Sequence, residues 1–132
     1  MQHPPVEEML WVAVDAFRAI ADDREKSKRM ADAGLSCALH ITDLDIGLTA
    51  LLDQDPIGVE EHVRPDATAR IHGESDAWLP VFLKGNLGIA IARGELQFDG
   101  PVREFLRVFP IFRTAYAEVA RGRKEETTRV HP

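Results

Sequence analysis

The sequence predicts an α+β fold: a five-stranded, mainly antiparallel sheet with helices covering one face, one helix before the sheet and others after it. Three observations predict it. Apolar residues recur at helical spacing near the N-terminus, at Val6, Leu10, Ala13, Phe17 and Ile20. From Cys37 to Ile71 the period changes to two, with turn residues between the runs. Helical spacing then returns at Val102, Phe105, Leu106, Phe109, Phe112, Tyr116 and Val119. Helix, strands, helices in that order is the α+β arrangement.

The first helix is expected over residues 5–31. Pro5 suits the first turn, and Glu7 and Glu8 favour the positive end of the helix dipole. The charged run from Asp22 to Lys28 predicts a solvated or fraying stretch, and Gly34 a stop. Four strands follow. Cys37, Leu39 and Ile41 share one side; so do Leu44, Ile46, Leu48, Ala50 and Leu52; so do Ile57, Val59, Glu61 and Val63; and so do Ala67, Ala69 and Ile71. Parity gives a meander in which Leu52 faces Ile57 and Ala50 faces Val59. Its last turn, at Arg64-Pro65-Asp66, would pair Val59 with Ile71 and Glu61 with Ala69, and set Glu60 against Arg70.

Ser75 is a natural N-cap for a short helix carrying Trp78, Leu79 and Phe82, with Pro80 in or near its start and Gly85 as its stop. The segment NLGIAIAR fits neither period. ELQFDG alternates and predicts the fifth strand. Pro101 opens the last helix, and Pro110 should kink or split it near Phe109. From Gly122 the chain is polar, so a domain over residues 1–121 and a disordered tail over 122–132 are expected.

The bulk numbers exclude several functions. A chain of 132 residues with 45% hydrophobic and 29% charged residues is one ordinary globular domain. Its net charge of -6 argues against nucleic acid as a partner and against a basic membrane-binding face. No apolar run nears the roughly 20 residues that span a bilayer, so no stable membrane insertion is expected. MQHPPVEEM lacks the features of a secretory signal and RVHP is not a peroxisomal address, which leaves a cytoplasmic location as the expectation. One cysteine, Cys37, rules out an internal disulfide and a cysteine-based zinc site.

No catalytic residue, metal site or cofactor is expected. The glycines of KGNLGIAIARGELQFDG lack both the dinucleotide spacing and a following GK[ST]. His40, His62 and His72 fall on the polar face of the strands without ligand spacing, and the meander register pairs no two of them. His3 and His131 are terminal. Glu61 is the one acid whose parity places it on the apolar face; it is either a partly exposed strand-end residue or a polar anchor at a pocket mouth. Cys37 alternates with Leu39 and Ile41 and is most simply a buried apolar residue. Five of six phenylalanines lie in the C-terminal half. With Trp78 and the neighbouring aliphatic residues they make a core, or the wall of a ligand cavity where Gly88 and the Pro110 kink let elements part.

From about Leu35 to Phe112 the order of features resembles the sterol carrier protein 2 (SCP2) sterol-binding domain family. HITDLDIGLTALLDQD is similar to its first hairpin, and VRPDATARIHGESDAW to the strand leading into its helix. LPVFLKGNLGIAIARGELQFDG is similar to its LxxG…A…GxLxxxG run, with Gly85, Ala92, Gly94, Leu96 and Gly100 in those places. Pro101 departs from the acidic or amide residue common there, and a lysine usual near GxL is missing. The resemblance implies an apolar tunnel between sheet and helices that accepts a sterol, fatty acid or fatty acyl-CoA-like lipid, with no catalytic residues, as in a stand-alone bacterial-type member. With the apolar surplus after Trp78, it implies a ligand lying against Leu39, Leu48, Val59, Ile71, Trp78, Phe82, Leu87, Ile91, Phe98, Phe105 and Phe109, with Glu61 at the mouth. Two rivals are an interaction module, a homodimer through Phe109, Ile111 and Phe112 or an accessory to an enzyme, and a small enzyme using Glu61 or His72.

Overall fold

The computed structural model describes the backbone of residues 5–130 and the side chains of residues 5–123. His3 and His131 lie outside these. The elements are α1 (Val6–Asp22), α2 (Arg24–Ala31), β1 (Ser36–Ile41), β2 (Ile46–Leu51), β3 (Gly58–Glu60), β4 (Ala69–Gly73), α3 (Ser75–Lys84), α4 (Leu87–Ala92), β5 (Gln97–Asp99) and α5 (Val102–Val130). The five strands form one sheet in the order β3-β2-β1-β4-β5. It is α+β and mostly antiparallel, with β1 and β4 as its parallel pair.

The expected first helix is two. Asp23 takes extended angles (φ -101°, ψ 105°), and its carboxylate accepts from the Lys26 N–H at 3.1 Å. The charged run is therefore a break with its own N-cap. α2 buries Ser27 and Met30. Ser27 donates to Asp55 and accepts from the Ile57 N–H at 2.9 Å, which ties the break to the loop before β3.

The first two turns follow parity. Ile41 pairs with Ile46, Leu39 with Leu48, and Ala50 with Val59. The third does not. β4 lies beside β1, pairing Leu39 with Ile71 and Cys37 with Ala69. The expected Val59–Ile71, Glu61–Ala69 and Glu60–Arg70 pairs are thus absent, and Glu60 meets Arg64 instead. The reason lies in the connection over residues 61–68, which crosses the far face of the sheet. The fully buried Thr49 hydroxyl of β2 donates to the His62 carbonyl at 2.8 Å and accepts from the Arg64 N–H at 2.9 Å. Val63 packs over Gly47, where a side chain would collide with it. Thr68 and Ser36 then exchange hydrogen bonds that start the parallel ladder (Thr68 N–H to Ser36 Oγ, 3.0 Å; Ser36 N–H to Thr68 Oγ1, 2.9 Å). Side-chain parity survives the change of neighbour, so Ile71 still faces the core.

The core lies between the sheet and the helices. α1 packs on α5, β2 and β3. α3 is pinned to β1 by Trp78, buried and donating Nε1–H to the His40 carbonyl at 3.0 Å. Ser75 is not its N-cap; Glu74 holds that position. Ser75 donates its N–H (2.8 Å) and hydroxyl (2.6 Å) to Asp43 in the β1–β2 turn, so the cap comes from across the sheet. These bonds hold the Asp43 carboxyl below its ordinary range. Gly85 closes α3 in the left-handed region, φ 71°.

The undecided NLGIAIAR becomes α4, which buries Leu87 and Ala90. α5 runs unbroken through Pro110. The proline sits on the exposed side, and the carbonyl it leaves unbonded belongs to Leu106, itself 60% exposed, where solvent has access. The helical backbone continues to Val130, through most of the stretch whose composition reads as a disordered tail. Among the described residues, no helix is long and apolar enough to cross a membrane.

Candidate functional site

Between the sheet and the helices the protein is hollow. A cavity of about 340 Å³ is floored by Cys37 and Leu39 of β1 and Ile71 of β4. α3 supplies one wall through Trp78, Val81 and Phe82, and α5 the other through Phe105, Phe109, Phe112 and Tyr116. Phe17 and Met30 reach it from α1 and α2. The exposed lining residues cluster at Leu83 and Lys84, where α3 ends, and at Arg113 and Ala117 on α5, so the cavity opens there.

The wall is a train of rings. Trp78 stacks on Phe82 (centroids 5.7 Å apart), Phe82 on Tyr116 (5.9 Å), and Tyr116 meets Phe112 (5.9 Å). Phe112 stacks on Phe17 at 4.7 Å, and Phe105 bridges Phe109 (5.7 Å) and Phe98 (4.9 Å). These residues fall on one face of α5 because positions 105, 109, 112 and 116 advance by three or four. Rings held by other rings keep their shape around a space that no side chain fills.

Burial acts on two ionisable groups of the lining. Burial pushes the Cys37 thiol from 9.0 up to about 12, so it stays protonated at neutral pH. Burial also raises the Tyr116 phenol to about 12. No cluster of three or more metal-ligating residues occurs among the described residues.

No family model matches the chain, and no curated protein matches its sequence. Solved structures match its shape. A UbiJ-SCP2 ubiquinone synthesis protein superposes with TM-score 0.55 at 12% identity, over 80% of this chain and 96% of that one. The apo form of sterol carrier protein 2 from Yarrowia lipolytica superposes with TM-score 0.57 at 19% identity, over 78% of this chain and 88% of that one. The chain has the SCP2-like fold.

Within this SCP2-like frame, seven of the twelve expected site residues line the cavity: Leu39, Ile71, Trp78, Phe82, Leu87, Phe105 and Phe109. Five lie elsewhere. Leu48 is fully buried on β2. Val59 is half-buried on the edge strand β3, beside α1. Ile91 packs on the core from α4, and Phe98 backs Phe105 from β5. Glu61 follows β3 into the crossing connection, exposed, with its carboxylate 3.8 Å from Arg18. The strand ends at Glu60, so the parity that puts Glu61 on the apolar face does not extend to it.

Among the described residues, no histidine lines the cavity. The parallel ladder sets His40 beside His72, which the meander register keeps apart, yet each meets its own acid: Asp45 at 3.1 Å and Asp99 at 3.6 Å. Residue-by-residue reading missed Phe17, Met30, Cys37, Val108 and the rim pair Lys84 and Arg113 as lining residues. Phe112 and Tyr116 carried a signal, their place in the α5 stripe.

Proposed function

We propose that the chain is a non-catalytic lipid carrier that takes one sterol, fatty acid or fatty acyl-CoA-like molecule into the cavity between sheet and helices. The observation that carries this reading is the ring-lined apolar cavity, open at one end, beneath α3 and α5. Magnitudes suit a carrier. Burying about ten methylenes gains roughly 8 kcal/mol, at about 0.8 kcal/mol each. Association costs about 4–15 kcal/mol, a sum of the same size, so an apolar tail alone is not held tightly.

The rival readings lose their supports. Phe109 and Phe112 line the cavity and Ile111 packs against the core, so they do not make an exposed dimer face. Glu61 and His72 are both outside the cavity lining, so an enzyme built on them would lack a pocket. Native mass spectrometry of freshly purified protein, and titration with a fluorescent fatty acid, test the proposal. A co-purifying lipid and saturable uptake with one ligand per chain are expected. The absence of both a bound lipid and saturable uptake would sink it.

A further inference from the structure

Resting on that reading of the cavity, we infer that Lys84 and Arg113 form a head-group clamp that selects single-chain amphiphiles ending in a carboxylate or phosphate over neutral lipids such as sterols. Both side chains belong to the lining, and both are exposed at the rim. They meet through Gly85. The Arg113 guanidinium lies over this residue so closely that a Cβ there would sit 3.1 Å from Nε and 3.5 Å from Cζ. Gly85, which also takes the left-handed angles ending α3, thus leaves room for the guanidinium one residue from Lys84.

The charges are unspent. Arg18, Arg29, Arg64 and Arg93 each have a carboxylate partner; among the described residues Arg24, Lys28, Arg70, Arg103, Arg107 and Arg121 have none within 4 Å, but none of these lines the cavity. Among the described residues, Lys84 and Arg113 have none within 4 Å. The chain carries 22 acids against 16 bases, so two unpaired cations at the mouth of an apolar cavity run against its overall charge. Guanidinium and ammonium groups at the end of an apolar channel match a compact anion joined to an alkyl chain. Tyr116 lies three residues beyond Arg113 on the same side of α5 and also lines the cavity. Its hydroxyl is protonated at neutral pH, the more so because burial raises the phenol, and so can donate. The volume of about 340 Å³ is at the small end of the roughly 300–1,000 Å³ of ligand pockets, which suits one flexible chain.

A purely structural role is the competing account: cations near the C-terminal end of α3 would complement its dipole. Neutralising them would then lower stability without changing which head group is preferred. Titration of the full chain with decanoate, decyl phosphate and decanol, read by tryptophan fluorescence, separates the two. The wild type is expected to bind both anions at least about tenfold tighter than decanol, the scale of a charge-assisted contact. K84Q/R113Q should bind all three alike, with decanol affinity unchanged. K84E/R113E should reverse the order, with decanol bound tighter than either anion. Equal affinities in the wild type, or a preference that persists in K84Q/R113Q, overturns the clamp and leaves lipid binding standing. Inorganic phosphate competing as well as decyl phosphate also overturns it, since the anion would then bind without the tail. Failure to bind any of the three chains removes the lipid-carrier reading and the clamp with it.

Discussion

Two halves of one apolar interior behave differently. Under α1 the core is closed. Leu10, Ala13, Val14 and Ala16 are at most 1% exposed, against the fully buried Leu48 and Ala50. Alanines let the helix come close to the sheet, and branched side chains fill what remains. Under α3 and α5 the same sheet face meets Trp78, Phe82, Phe105, Phe109 and Phe112, and a cavity is left. Large stacked rings act as spacers: they hold the helices off the sheet as much as they cover it. Both halves are apolar, and side-chain size and stacking decide which is core and which is container. Phe17 joins them, leaving α1 to stack on Phe112.

Equal truncations should break the two halves unequally. Leu10→Ala removes side-chain volume from a closed site and is expected to cost about 2–5 kcal/mol by urea denaturation, with decanol affinity unchanged. Phe109→Ala, at a half-buried residue already facing empty space, should cost less and alter decanol affinity. Equal costs, with equal effects on binding, would show that the halves do not differ. Leu39→Trp sharpens the contrast from the other side. It adds volume on the cavity floor, and is expected to abolish uptake for about 1–3 kcal/mol of stability at most.

The hollow half was the harder one to read from sequence. Period two on Cys37, Leu39, Ala69 and Ile71 identifies the inward face whichever strands are neighbours, so these positions were legible despite the wrong partner for β4. That partner was not legible, because β1 and β3 offer the same parity and the deciding contacts, Thr49 to His62 and Arg64, belong to a connection on the far face. Leu48 and Val59 share the parity of Leu39, and periodicity cannot say which stretch of an inward face lies under α1 and which under the rings. Lys84 and Arg113 are ordinary surface residues until the turn at Gly85 brings α3 against α5.

Alkaline pH should loosen the hollow half. The Cys37 thiol is raised from 9.0 to about 12, so between these values the unfolded chain releases a proton that the folded chain keeps. Stability is then full below pH 9 and falls as pH rises towards 12. Thermal midpoints of Cys37→Ala should decline less steeply over that range than those of the wild type. The slope that remains belongs in part to Tyr116, raised from 10.0 to about 12. An unchanged slope in Cys37→Ala would mean the cavity floor is wet.

Acid should act on the same wall through the turn that caps it. Asp43 has a lowered carboxyl because Ser75 donates to it twice. Its contribution is present above the ordinary carboxylate range, and is lost as pH falls through its folded value. The gap in thermal midpoint between wild type and Asp43→Ala is expected at pH 7 and should close in acid. A gap independent of pH would assign the effect to the turn itself rather than to the charge at α3.

The smallest effect tests how tightly the lower end of the hollow half is packed. Gly88 lies inside α4 and carries no positive φ, and a Cβ there would touch nothing within 4 Å. Gly88→Ala should therefore stabilise by about 0.4–1 kcal/mol, chiefly by narrowing the unfolded ensemble. Gly100→Ala makes the contrast: with φ +137° and a Cβ that would sit 2.7 Å from the Ala69 Cα, it should destabilise by more than the first change gains. Both are read as shifts in urea midpoint at constant slope. A loss on Gly88→Ala would mean that α4 sits against its neighbours more closely than the open space around Gly88 implies, and that the hollow half is shut at this end by backbone contact rather than by Leu87 alone.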